Sequence, residues 1–109
     1  MKKLLPVGEI PQAWFNRLKH QARYRGFCFE ISIEWAWDLF LKQKRLCVYS
    51  GVPLSFLPKT ACLDRKDSLI GYIPNNVHWV HKTVNKIKWN LPEDKFLFLC
   101  NAVARNVCV

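Results

Sequence analysis

The chain has 109 residues, of which 50% are hydrophobic and 14% aromatic, enough for one packed domain and too few for two. That composition excludes global disorder, and no apolar run approaches the ~20 residues needed to cross a bilayer. Seventeen Lys and Arg stand against eight Asp and Glu, a net charge of +9, a field that draws polyanions over a Debye length of ~8–10 Å. Nucleic acid is the commonest such partner and an anionic membrane surface the second, while plain solubility is the reading without function. The opening Met1-Lys2-Lys3-Leu4-Leu5 is soon broken by Pro6, Gly8 and Glu9, too short for a signal peptide, so the chain is expected to be soluble and to keep its N-terminus. The five cysteines (Cys28, Cys47, Cys62, Cys100, Cys108) are odd in number and form no C-x-x-C. A reducing cytoplasm is the expected setting.

From Ile10 to Arg25 the apolar residues Ile10, Ala13, Trp14, Phe15, Leu18 and Ala22 follow helical spacing, with Arg17, Lys19, His20, Arg23 and Arg25 largely on the other side. Gly26 stops that helix. Phe27, Phe29 and Ile31 alternate with Cys28, Glu30 and Ser32, which predicts a short strand. Ser32 then caps a helix running to about Gln43. Ser50-Gly51-Val52-Pro53 and Pro58-Lys59-Thr60 are turns; Ala61 to Arg65 is a strand; Pro74-Asn75-Asn76 marks an irregular loop; Val77 to Val80 is a second strand. His81 to Asn90 forms a helix, and Pro92-Glu93-Asp94 opens a last one reaching about Asn106.

Leu63-Asp64-Arg65-Lys66-Asp67-Ser68, then Gly71-Tyr72, Asn76-Val77, Trp79-Val80 and Asn85 through Lys88 form a pattern LDR-x-D-S, GY, NV-x-WV, N-x-x-K. It resembles the HNH, or His-Me finger, endonucleases, and within them a phage and bacterial branch. Trp37, Leu39-Phe40, Gln43, Cys47 and Ser50-Gly51 match the lead-in of that branch, and Phe96 with Leu99-Cys100 its closing helix. The resemblance implies an α+β fold built on a ββα-metal module: a lead-in over 1–46, the module over 47–90 and a closing helix over 91–109, all in one domain. It implies a nuclease that nicks DNA, expected to be double-stranded, with one Mg²⁺ or Mn²⁺, and places such a protein in a phage or mobile element, in the host cytoplasm. It makes Asp64 and Asn85 the metal ligands, Asn76 the brace of the loop and Gly71 its backbone accommodation.

The chemistry asks for the same groups, since phosphodiester hydrolysis needs a hard cation near the phosphate, oxygen donors to hold it and a base to deprotonate water. Arg65 stands where the resemblance calls for the base histidine, and arginine keeps its proton. Arg65 is therefore read as a phosphate clamp. His81 is the candidate base, four residues before Asn85 on one predicted helix face; His78 is read as less well placed, and Asp67 as a third option, base or second carboxylate. Where the resemblance implies two C-x-x-C zinc pairs, Cys47, Ser50, His81 and Val84 stand; two potential ligands of four do not make a site, so no structural zinc is expected. The first helix (Arg17, Lys19, Arg23, Arg25), together with Lys2 and Lys3, and the motif helix (Lys82, Lys86, Lys88) are candidate phosphate contacts. Tyr72, Trp79 and Trp89 are read as core rather than as base-stacking residues. One site per chain cuts one strand per encounter, and a homodimer would cut two. The rival to the enzyme is a related nucleic-acid-binding module that has lost cleavage.

Overall fold

A computed structural model describes residues 4–108; Lys2 and Lys3 lie outside them. Helix α1 (Gln12–Tyr24) buries Phe15 and Ala22 and turns Arg17, His20 and Arg23 to solvent, the division its spacing predicts. The Ser32 hydroxyl accepts from the Trp35 amide at 3.0 Å and starts α2 (Ile33–Lys42), whose Ile33, Ala36 and Phe40 face inward. Between these helices the predicted strand does not form. Phe29 makes a single parallel bridge to Tyr72, because the partner segment runs between Gly71 and Pro74 and offers the ladder nothing to extend along.

Strands β1 (Ala61–Arg65) and β2 (Val77–His81) pair antiparallel, with Leu63 opposite Trp79 and Asp64 opposite His78. Side chains alternate across the sheet, so the hairpin has two dissimilar faces. On one, Trp79 is fully buried, its indole N–H donating to the Ala36 carbonyl at 2.8 Å and its ring packed on Trp14, Phe40 and Phe56 at 5.4–6.0 Å. Gln43 ties down the same residue twice: its side-chain carbonyl accepts from the Trp79 amide at 2.9 Å and its NH₂ donates to the Trp79 carbonyl at 3.0 Å. Deleting a buried aromatic of this kind costs about 3–5 kcal/mol, so this face is what holds the hairpin to the helices.

The other face takes helix α3 (Lys82–Lys88), which follows β2 directly. A turn through Trp89 and Asn90 then leads to α4 (Glu93–Val107), with Glu93 and Asp94 at its positive end. Phe96 is the α4 residue that is buried; Leu97, Phe98, Leu99, Val103 and Val107 are exposed. Among the described residues no helix is long and apolar enough to cross a membrane.

Candidate active site

The second face of the hairpin is polar and dry. The Asp64 carboxylate, 7% exposed, lies 2.9 Å from His78 Nε2 and 3.3 Å from the ammonium of Lys88, which is 1% exposed. Lys88 also donates to the Arg65 carbonyl at 3.2 Å. Three ionisable groups are thus packed together away from solvent, and the Asp64 carboxylate is the partner that the other two share. Tyr49 closes the cluster with its ring edge-on to His78 at 4.9 Å and to Phe96 at 5.2 Å. Burial, then the negative charges of Glu93 and Asp64, push its phenol well above the usual range, so it stays neutral.

Above this floor a pocket of about 180 Å³ is lined by Arg25, Leu63, Asp64, Arg65, Ser68, Tyr72, Asn85 and Trp89. The Arg65 guanidinium is held by the Ser68 carbonyl at 2.8 Å and lies 4.1 Å from the centre of the Phe27 ring. Arg25, arriving from the end of α1, sits over the same ring at 5.6 Å. Two guanidinium groups therefore converge on one aromatic ring beside a carboxylate, an arrangement suited to a phosphate oxyanion.

The loop between the strands is fixed by Asn76, which is 5% exposed. Its NH₂ donates to the carbonyls of Asp67, Ile70 and Gly71 at 3.0–3.2 Å and its carbonyl accepts from the Asp67 amide at 2.9 Å. Gly71 is required by close approach: a Cβ there would come within 2.5 Å of the Cys28 carbonyl.

Several expected roles change place. His81 is not at the pocket. It ends β2 opposite Ala61 and caps α3, its Nδ1 accepting from the Thr83 amide at 3.1 Å, so it is not the helix-face neighbour of Asn85 that the spacing predicts. The histidine that meets Asp64 is His78, brought there by the strand register. Asp67 accepts from the Leu69 amide at 2.9 Å and lines a separate hollow with Glu93 and Asp94, so it does not join Asp64. Lys88 is buried against Asp64 and cannot reach a DNA backbone. Lys82 and Lys86, by contrast, are exposed, as are Arg17, Arg23 and Arg25; Lys19 is half-buried. Trp89 is 77% exposed and is not part of the core, whereas Tyr72 and Trp79 are.

Among the described residues no three His, Cys, Asp or Glu side chains gather around a common point. Asp64 and Asn85 offer one carboxylate and one amide oxygen at the same pocket. That donor set fits Mg²⁺ in its usual mode, in which one or two carboxylates are completed by water and substrate phosphate. Buried Cys47 accepts from the Ser50 amide at 3.5 Å. Burial raises its thiol, but hydrogen bonds from Ser50 and from the backbone of His81 and Tyr49 outweigh it, and the net shift is downward.

No family model matches the sequence. No curated protein matches it either. Among solved structures the chain is similar to the rare-cutting HNH restriction endonuclease PacI, with a TM-score of 0.63 and 21% identity over 92% of this chain and 82% of that one. The shared feature is the fold: a small α+β domain around a two-stranded antiparallel hairpin and its helix.

Proposed function

We propose that the protein is a metal-dependent DNA endonuclease of HNH type that hydrolyses one phosphodiester at the pocket of Asp64, Arg65 and Asn85. The observation that carries this reading is that the pocket joins one buried carboxylate and one amide to two converging guanidinium groups. Arg25 and Arg65 take the scissile phosphate, and the Ser68 carbonyl with the Phe27 ring pre-orients Arg65, so little freedom is lost on binding. His78 and Lys88 hold the Asp64 carboxylate in one orientation. Mg²⁺ or Mn²⁺, held by Asp64 and Asn85, supplies charge neutralisation at the phosphate and at the leaving oxygen. No histidine lines the pocket to receive the proton of the attacking water, since His78 is turned onto Asp64 and His81 caps α3, so this reading expects a slow enzyme. Exposed Arg17, Arg23, Lys82 and Lys86 extend the contact along the DNA backbone.

The test is supercoiled plasmid with Mg²⁺ or Mn²⁺. Nicked product is expected, absent in EDTA and reduced at least tenfold by Asp64→Asn. Intact plasmid with a salt-sensitive gel shift would establish the second reading, a DNA-binding module without cleavage, which the contacts of Lys88 and His78 to the Asp64 oxygens favour because they compete with a metal. Arg65→His separates the two further: a gain of cleavage marks a lapsed enzyme, a loss marks Arg65 as a working part.

Two cuts need two such sites, and α4 supplies a surface for a second copy of this chain. Phe96, Cys100, Val103 and Val107 recur at intervals of four, three and four, the spacing of a coiled-coil seam. Beyond Phe96 the seam is bare, and it continues into exposed Leu99 and Ile87. At ~60–120 Å² per apolar side chain, the five exposed members Ile87, Leu99, Cys100, Val103 and Val107 offer about 300–600 Å² per partner, the size of a small, weak interface. Sedimentation is expected to give a dimer at micromolar concentration and a monomer for Val103→Glu. A wild-type monomer would overturn this reading.

A further inference from the structure

Trp89 has two unusual properties at once. Its side chain is 77% exposed, although the chain's other pocket aromatic, Tyr72, is buried, and it stands at the wall of the pocket with Asp64, Arg65, Asn85 and Arg25. Its backbone is at φ 52°, ψ −123°. With the Leu91 amide donating to the Lys88 carbonyl at 3.0 Å, residues 88–91 make a type II′ turn whose first central position is the one that glycine favours. A scattered exposed aromatic needs no explanation. A bulky aromatic kept in a glycine conformation, beside a polar pocket, does, because strain of this kind persists where the side chain is needed.

We propose that the Trp89 indole is a stacking platform for an unpaired nucleobase next to the phosphate gripped by Arg25 and Arg65. This rests on the DNA reading above and adds a contact to the base. The two guanidinium groups answer the phosphate, whereas the indole carries no charge and presents a flat apolar face, which is what a nucleobase plane offers in return. The turn fixes where the indole starts from, since it follows α3 directly and α3 carries Asn85. A base out of its stack can meet the ring while its own phosphate sits in the pocket; a base held within the duplex presents an edge and cannot stack on it.

The experiment is equilibrium binding of the full chain, in EDTA, to oligothymidine and to an abasic oligomer with the same number of phosphates. The wild type is expected to prefer the thymidine strand about tenfold, in line with stacking on one aromatic. Trp89→Ala is expected to lose that preference while keeping its affinity for the abasic strand and the same salt dependence, because no charge is removed. Trp89→Phe is expected to keep most of the preference, which guards against a general effect on folding. Equal binding of both strands by the wild type, an undiminished preference in Trp89→Ala, or no binding to either strand would overturn the proposal. Cleavage plays no part in the readout, so a base preference without plasmid nicking sinks the nuclease and leaves the platform standing.

Discussion

The floor and the mouth of the pocket are built on opposite principles. On the floor, Asp64, His78 and Lys88 are each at least 93% buried, and His78 and Lys88 both engage Asp64 at 2.9–3.4 Å. At the mouth, Arg25 and Trp89 are exposed and Arg65 is half-buried, and the carboxylate is outnumbered by guanidinium groups. Charges on the floor answer each other, whereas those at the mouth are left for a ligand. Substitutions on the floor should therefore register first as stability, and those at the mouth as DNA binding and cleavage.

The largest effect is expected on the floor. Lys88→Met removes a buried cation and leaves Asp64 with His78, and losing one partner of a buried pair costs about 3–5 kcal/mol. Urea unfolding should show that loss as a lower midpoint with an unchanged slope. The double variant Asp64→Leu/Lys88→Met should recover much of it, because the charge left uncompensated is also gone. A Lys88→Met protein as stable as the wild type would break the comparison, since the cluster would then not be structural.

The mouth should respond the other way. Arg65→Lys keeps the charge and gives up the planar fork that the Ser68 carbonyl and the Phe27 ring orient. Stability is expected to fall by less than about 1 kcal/mol, whereas plasmid nicking should drop at least tenfold with the loss of bidentate contact. Equal rates for the two proteins would show that the phosphate is held elsewhere, with Arg25 the next residue to change.

How much of this was open to reading from the sequence follows the same division. Asp64, Arg65, Asn76 and Asn85 sit in a local pattern, and the pocket does join Asp64, Arg65 and Asn85 while Asn76 ties the loop. The sequence ranks His78 below His81 because its meeting with Asp64 depends on strand register across an eleven-residue loop, and a slip of one residue would turn it to the other face. The burial of Lys88 runs against the general preference of lysine for solvent; the signal was its place at the end of N-x-x-K, one helical turn from Asn85. Alternation alone predicts the short strand over 27–32, and alternation does not reveal whether a partner strand exists. Arg25 was read with its own helix, and its arrival beside Arg65 is a tertiary fact. Residue type assigns Trp89 to the core, whereas its backbone conformation is what sets it apart.

That conformation yields the smallest and most diagnostic effect. Trp89→Gly places the favoured residue at the first central position of the II′ turn and removes the strain of a side chain at φ 52°. Glycine also frees the unfolded chain, and little packing is lost from a side chain that is 77% exposed. The balance should be a gain of up to about 1 kcal/mol, read as a higher denaturation midpoint. If the indole is a platform, the same variant loses the preference for base-bearing over abasic strands, so that stability rises as recognition falls. A protein that Trp89→Gly destabilises would show instead that the indole contributes to folding, and Trp89 would then belong with the floor, despite its exposure.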